Sequence, residues 1–286
     1  MSRALALALA LCACAGSRRA APTRAAPAPT VTPERPAPDD EDDEAVRTTP
    51  CGRLRSAQTC LVGGLAMLGH DRGEAHFEER PPWAVRVGTL AIDRREVTAR
   101  AWRACVRAGR CAEPACPIAD ERAAVRCVSW HEARAYCAFK RGRLPSEAEW
   151  ERAAAGLLPA HRLHPWGDAM PDAGTPRDRT EDGVLDLGGG LAEWTEDGGD
   201  FYPALPQLPD AGADAGPDAI TDAPEQVDGL YVRDDAAGPP SSPWRVVRGG
   251  DERTPWDERT STLRRFRQPD DRLPWVGVRC VYDPRS

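Results

Sequence analysis

The chain has 286 residues, of which 28 are proline and 25 glycine, about a fifth of the total and more punctuation than a helix bundle tolerates. Its net charge of −7 sits in appendages: residues 1–50 hold seven acids against six arginines, residues 197–235 hold ten acids against one arginine, and the rest is net +3. Lys140 is the only lysine beside 37 arginines, a skew that goes with the Ala, Pro and Gly excess of a GC-rich genome, so no nucleic-acid partner is read from it.

Arg3 and the eight apolar residues Ala4–Leu11 form a stretch too short to span a bilayer, followed by Leu11-Cys12-Ala13-Cys14. Leu-x-Ala-Cys resembles the lipobox of bacterial lipoproteins, which implies lipidation of Cys14 and export. Ala15 follows where inner-membrane lipoproteins commonly carry Asp, so the resemblance implies an outer-membrane lipoprotein, periplasmic or surface-facing; ordinary secretory cleavage is the other reading. Residues 1–14 are therefore expected as signal and lipobox. Residues 15–50, Ala/Pro-rich and then acidic from Asp39 to Glu44, are expected as a disordered tether ahead of a domain over 51–286. Residues 203–243, with repeated Asp-Ala-Gly phrases, read as a disordered acidic insertion in that domain.

Setting aside Cys12 and Cys14 leaves eight cysteines, an even number in an oxidising compartment and without the paired C-x-x-C knuckles of zinc sites. Cys51 and Cys60 are the shortest local pairing. Cys105, Cys111, Cys116 and Cys127 supply two further bridges of open connectivity.

In chain order, Ala91–Asp93 closes a strand, and Thr98 caps a helix carrying Ala101, Trp102, Cys105 and Val106 on one face until Gly109. Ser129 with Glu132, and Ser146 with Glu149, have capping-box spacing and start two more helices; Gly142 and the region of Gly156 are expected to stop them, Gly142 in the left-handed conformation. Trp244–Arg248 reads as a strand before the Gly249-Gly250 break, and Trp275–Tyr282 as one terminal strand. The class is α+β with low regular content.

Several phrases recur in a fixed order: Ile92-Asp93-Arg94-Arg95-Glu96-Val97-Thr98, Val128-Ser129-Trp130-His131-Glu132-Ala133, Tyr136-Cys137, Arg143-Leu144-Pro145-Ser146-Glu147-Ala148-Glu149-Trp150-Glu151, Pro165-Trp166-Gly167, Leu191-Ala192-Glu193-Trp194, Arg248-Gly249-Gly250 and Gly277-Val278-Arg279-Cys280. Together they resemble the sulfatase-modifying factor domain of formylglycine-generating enzymes, over about residues 61–283. The resemblance implies a fold related to C-type-lectin-like architectures. In the oxidases of that family it implies conversion of a substrate cysteine to formylglycine with O₂ and a copper ion held by two cysteines. It does not decide function, because relatives do very different jobs.

The copper pair of the family lies between Arg-Gly-Gly and the closing Gly-x-Arg-Cys, and here Asp251–Arg279 contains no cysteine. The positions fall in or near Trp256–Leu263, where Asp257, Glu258, Thr260 and Thr262 offer only hard oxygens, unsuited to copper(I). Copper is not expected. The resemblance further implies a Cys137–Cys280 disulfide. It also implies a calcium ion on the loop Asp186–Glu193, held by the Asp186 and Glu193 carboxylates and the Gly189 and Leu191 carbonyls. The family's other calcium site is not carried over, since Asp168–Val184 lacks the pattern.

Other candidates are weaker. His131, His161 and His164 lack a third metal partner, Glu149 reads as a cap and Glu151 as the mate of an arginine such as Arg143, and no hydrolase or nucleotide motif is present. The leading expectation is an envelope-anchored, catalytically degenerate domain that binds an envelope protein, peptide or glycan through irregular loops bearing Trp244, Trp256, Trp275, Arg264, Arg265 and Arg267. The alternative is an oxidase or other modifier of an envelope protein.

Overall fold

A computed structural model describes residues 47–71, 76–169, 178–203, 226–227, 230–234 and 242–284. The chain divides into two units, Met1–Pro38 and Asp39–Ser286, and every described residue belongs to the second. The expected signal segment, Cys14 and the tether up to residue 46 lie outside the described residues. The tether's last residues are structured: β1 (Arg47–Thr49) pairs antiparallel with β2 (Gly52–Leu54), so regular structure begins before Cys51.

Three helices form where the capping chemistry placed them. In α1 (Ala99–Arg107) the Thr98 hydroxyl accepts from the Ala101 amide, satisfying one otherwise orphaned donor, and buried Trp102 and Cys105 face inward. In α2 (Trp130–Phe139) and α3 (Glu147–Ala155) the boxes of Ser129 with Glu132 and Ser146 with Glu149 are both closed reciprocally. Gly156, at φ 90°, ends α3. After α2, however, the left-handed residue is Arg141, at φ 63°, and not Gly142. Gly142 answers a different demand, because a Cβ there would lie 2.4 Å from the Val281 carbonyl oxygen and 2.8 Å from the Tyr282 ring.

Two cores follow. One packs α1 and α2 against a sheet ordered β11 (Arg264–Arg267), β10 (Arg245–Arg248), β7 (Ala192–Gly198), β12 (Val276–Gly277); Trp102 stacks on Tyr136 at 5.1 Å, and Trp194 donates to the Val128 carbonyl at 3.1 Å. The other buries Trp150, Ala153 and Ala154 of α3 against β4 (Gly64–Leu68) and β5 (Trp83–Val87), together with Leu90 and Ile92 of β6 (Leu90–Asp93). Strand β6 lies between β3 (Gln58–Leu61) and β13 (Val281–Tyr282).

Two expectations change here. The terminal stretch Trp275–Tyr282 is not one strand: β12 runs parallel to β7 and β13 antiparallel to β6, in different sheets. Val278, Arg279 and Cys280 between them are wholly buried, so this segment passes from one core to the other. The acidic stretch 203–243, expected as a disordered insertion, contributes β8 (Gln226–Val227) and β9 (Leu230–Asp234), and β9 pairs in parallel with β5. Its apolar Leu230-Tyr231-Val232 run is the part able to join a sheet.

Disulfides join Cys51 to Cys60, Cys105 to Cys111, Cys116 to Cys127 and Cys137 to Cys280. The two bridges left open in the middle of the chain are thus local. The last spans a sequence separation of 143.

Candidate functional site

Helix α3 is buried on every side, carrying Glu147, Glu149, Glu151 and Arg152 inside, so each charge needs a partner. Arg248, fully buried at the Arg-Gly-Gly landmark, donates to Glu147 and the Tyr202 hydroxyl at 3.3 Å each, to Ser261 O at 3.0 Å, and to Glu151. Arg264 donates twice to Glu147 at 2.7 Å. Glu79 accepts from Thr262 at 2.7 Å and lies 3.0 Å from His70 Nε2; burial pushes its carboxyl up, but these two hydrogen bonds together with the charges of His70 and Arg248 hold it below the usual range. Arg143 pairs with Glu149, at 2.6 Å, rather than with Glu151. Arg264 is accordingly an internal residue and leaves the expected surface set.

Beyond this network lies the stretch Trp256–Leu263, which corresponds to the family's copper cysteines. Asp257 and Glu258 are exposed on the short turn Trp256–Glu258, and the Thr262 hydroxyl is committed to Glu79. Between them Arg259 is only 5% exposed. Its guanidinium lies 3.8 Å from the Trp256 ring centroid, and its Nε donates to Thr254 O at 2.7 Å. Trp256 meets Trp166 edge-on at 5.4 Å, and His164, stacked on Trp166 at 4.8 Å, has Nδ1 3.1 Å from Arg259 O. His161 instead faces Glu151, and His131 is exposed near Asp270, so the three histidines do not converge. All eight cysteines of the described domain are in disulfides, which leaves no thiolate near this stretch.

The expected calcium set is brought together in part. Glu193, wholly buried, accepts from Arg279 at 2.7 and 3.0 Å and from Trp150 Nε1 at 2.8 Å, so it does not fit as a free ligand. Asp186 pairs with Arg95 at 2.5 Å, a contact in which Arg95 is 60% and Asp186 35% exposed. Two acids that the sequence reading missed close round the same loop: Asp178 accepts from the Gly188 and Gly189 amides at 2.8 and 2.6 Å, and Glu96 from the Leu191 amide. The Glu96 carboxyl is pushed up to about 8, first by burial and then by the charge of Glu193; Asp178 is raised by burial, with Asp186 adding to it. The only earlier signal for Glu96 was its place inside the Ile92–Thr98 phrase, and Asp178 had none. Among the described residues no three acidic, His or Cys side chains form a ready metal cage.

Of the expected interface residues, Trp275 is half-buried under the guanidiniums of Arg253, Arg265 and Arg267, at 5.5, 5.6 and 4.8 Å. Trp244 is 42% exposed; Phe77 and Phe201, exposed by 74% and 50%, meet edge-on at 5.2 Å. These aromatics had no periodic pattern to betray them.

Residues 47–182 match the family described as sulfatase-modifying factor enzyme 1-like domain. Among curated proteins, inactive C-alpha-formylglycine-generating enzyme 2 of Bos taurus is 38% identical over 93 residues, 24% of this chain and 31% of that protein. Formylglycine-generating enzyme of Thermomonospora curvata is 30% identical over 189 residues, 55% of this chain and 54% of that protein. The chain spans 30 to 36% of the length of the first curated relatives it matches. Among solved structures, PvdO from Pseudomonas aeruginosa aligns with a TM-score of 0.61 at 19% identity, over 84% of this chain and 98% of that one. Treponema denticola variable protein 1 aligns with a TM-score of 0.54 at 19% identity, over 79% and 95%. At such identity these two carry the fold alone, a mixed α+β architecture of the C-type-lectin-like kind. Residues 47–182 of this chain are thus similar to the sulfatase-modifying factor domain, and the chain's curated relatives include formylglycine-generating enzymes.

Proposed function

We propose that this protein is a catalytically silent member of its family, a binding module held at the cell envelope by a lipid on Cys14. The observation that carries the first half is the fate of the cysteines: Asp251–Arg279 has none, and the eight of the domain are consumed in four disulfides. Copper(I) needs soft thiolates, and what stands in the corresponding stretch is a buried arginine stacked on Trp256, which repels a cation. The likeness to an inactive formylglycine-generating enzyme supports the same reading. The test is incubation of the purified domain with copper and a Cys-x-Pro-x-Arg peptide, followed by mass spectrometry; no thiol-to-aldehyde conversion is expected, and conversion over many turnovers sinks the proposal. For the anchor, palmitate labelling in a bacterial host should be lost in Cys14→Ser, and labelling that persists removes it.

A calcium ion on the Asp186–Glu193 loop belongs to this proposal, as a structural cofactor. We assign it to the Asp186 and Glu96 carboxylates with the Gly189 and Leu191 carbonyls, since Glu193 is committed to Arg279. Asp186 would have to exchange Arg95 for the ion. That exchange is cheap, because an exposed ion pair contributes only about 0–1 kcal/mol.

A further inference from the structure

From the arrangement of Trp166, Asp178, Trp256 and Arg259 we infer that this protein binds a carboxylate carrying an adjacent N–H, the chemistry of a peptide's C-terminal residue. The inference rests on reading the domain as a binding module and names the ligand and the site.

Arg259 is 5% exposed, and its only hydrogen bond to a described residue is from Nε to Thr254 O at 2.7 Å. The two terminal nitrogens, the fork that matches a carboxylate bidentately, have no partner among the described residues. The fork is held rather than loose. Its plane sits 3.8 Å from the Trp256 centroid, the backbone behind it is fixed by His164 at 3.1 Å, and Nη1 lies over Gly189, 2.6 Å from where a Cβ would stand. A side chain at Gly188 would strike the Trp166 ring at 2.9 Å, and one at Gly189 would displace the Arg259 fork.

Beside the fork Asp178, whose Oδ2 shares the approach to Gly189 with Arg259 Nη1, has its Oδ1 buried and unsatisfied; the indole nitrogen of Trp166 is unsatisfied too, at the edge opposite the one that packs on Gly188. Such groups are a cost to the folded state unless something binds them. Asp178 Oδ2 is already spent on the Gly188 and Gly189 amides, which aims Oδ1 away from the loop. The site thus offers the donors of the Arg259 fork beside one acceptor, Asp178 Oδ1. A carboxylate satisfies the donors, and the N–H on the neighbouring carbon satisfies the acceptor. Trp166 and Trp256, edge to face at 5.4 Å, leave indole surface for the residue's side chain. An inorganic anion would use the donors and leave Asp178 facing a negative charge, which disfavours phosphate or sulfate.

The same –NH–CHR–COO⁻ chemistry comes from a peptide end or from a free amino acid. Full-length protein is titrated with N-acetylalanine, N-acetylalaninamide, alanine and acetate, followed by tryptophan fluorescence and calorimetry. N-acetylalanine should bind, with the carboxamide and acetate each at least about tenfold weaker. A weaker alanine assigns the peptide end, and a tighter one the free amino acid. Arg259→Gln should lose binding at least about tenfold while melting as the wild type does; Arg259→Lys, which keeps the charge but not the fork, should also weaken it and serves where Arg259→Gln does not fold. Carboxamide or acetate binding as tightly as N-acetylalanine, or full affinity in a folded Arg259 variant, overturns the inference. Conversion in the oxidase assay would remove the module reading whatever the titration shows. Absent binding without conversion removes only this site.

Discussion

Arg248 shows how one side chain carries several roles. It is wholly buried, satisfies Glu147 and Glu151 together, and so permits α3 to be packed on all sides despite its carboxylates. Truncating it leaves buried Glu151 without its arginine, while Glu147 keeps Arg264. Arg248→Met is therefore expected to cost about 3–5 kcal/mol in urea denaturation, and a double change with Glu151→Met to recover part of that. A cost under 1 kcal/mol would mean that the network is open to water. Arg264 and Glu193 behave alike: each reads from the sequence as available to a ligand, and each is occupied by an internal partner. Nothing in the local pattern distinguishes an arginine bound for the interior from its exposed neighbour Arg253 in this chain.

At the scale of elements, the three helix starts were legible because capping is an i to i+3 matter: Thr98, Ser129 and Ser146 each meet a residue within one turn. The stop of α2 was not, because the close approach of Val281 and Tyr282 to Gly142 comes from a strand about 140 residues away. The loop between Asp186 and Glu193 is the element whose chemistry is most exposed to test. Four carboxyl groups crowd it against Arg95 and Arg279, and a hard cation would relieve that crowding by taking the place of the Glu96 proton. Calcium is expected to raise the melting temperature by a few degrees, chelator to reverse this, and Asp186→Ala to abolish the shift. Equal shifts in wild type and Asp186→Ala, or none in either, rule the site out.

Over the whole molecule, the C-terminal passage through Val278, Arg279 and Cys280 ties the two cores, and the Cys137–Cys280 bridge locks it to α2. Loop-closure entropy scales with the length enclosed, so removing this bridge as Cys137→Ala with Cys280→Ala should cost about 5 kcal/mol. Removing Cys105–Cys111, six residues apart, should cost about 2. Guanidinium midpoints of the two double variants check the order, and a reversed order would show that the denatured chain already holds the C-terminal segment near α2.

By itself the amino-acid sequence determined what is local or additive: an even set of domain cysteines, three capped helices, an irregular α+β class, and a stretch without thiolates where copper would need them. Only the tertiary structure decided which charges meet. Arg248 takes Glu151 across 97 residues, Arg279 takes Glu193 across 86, and β9 leaves the acidic stretch to pair with β5. The physical reason is range. A cap or a short disulfide is read along the chain, whereas the partner of a buried charge is chosen by which segments the two cores bring into contact, and that choice left Arg259 with its fork unpaired beside Trp166 and Asp178.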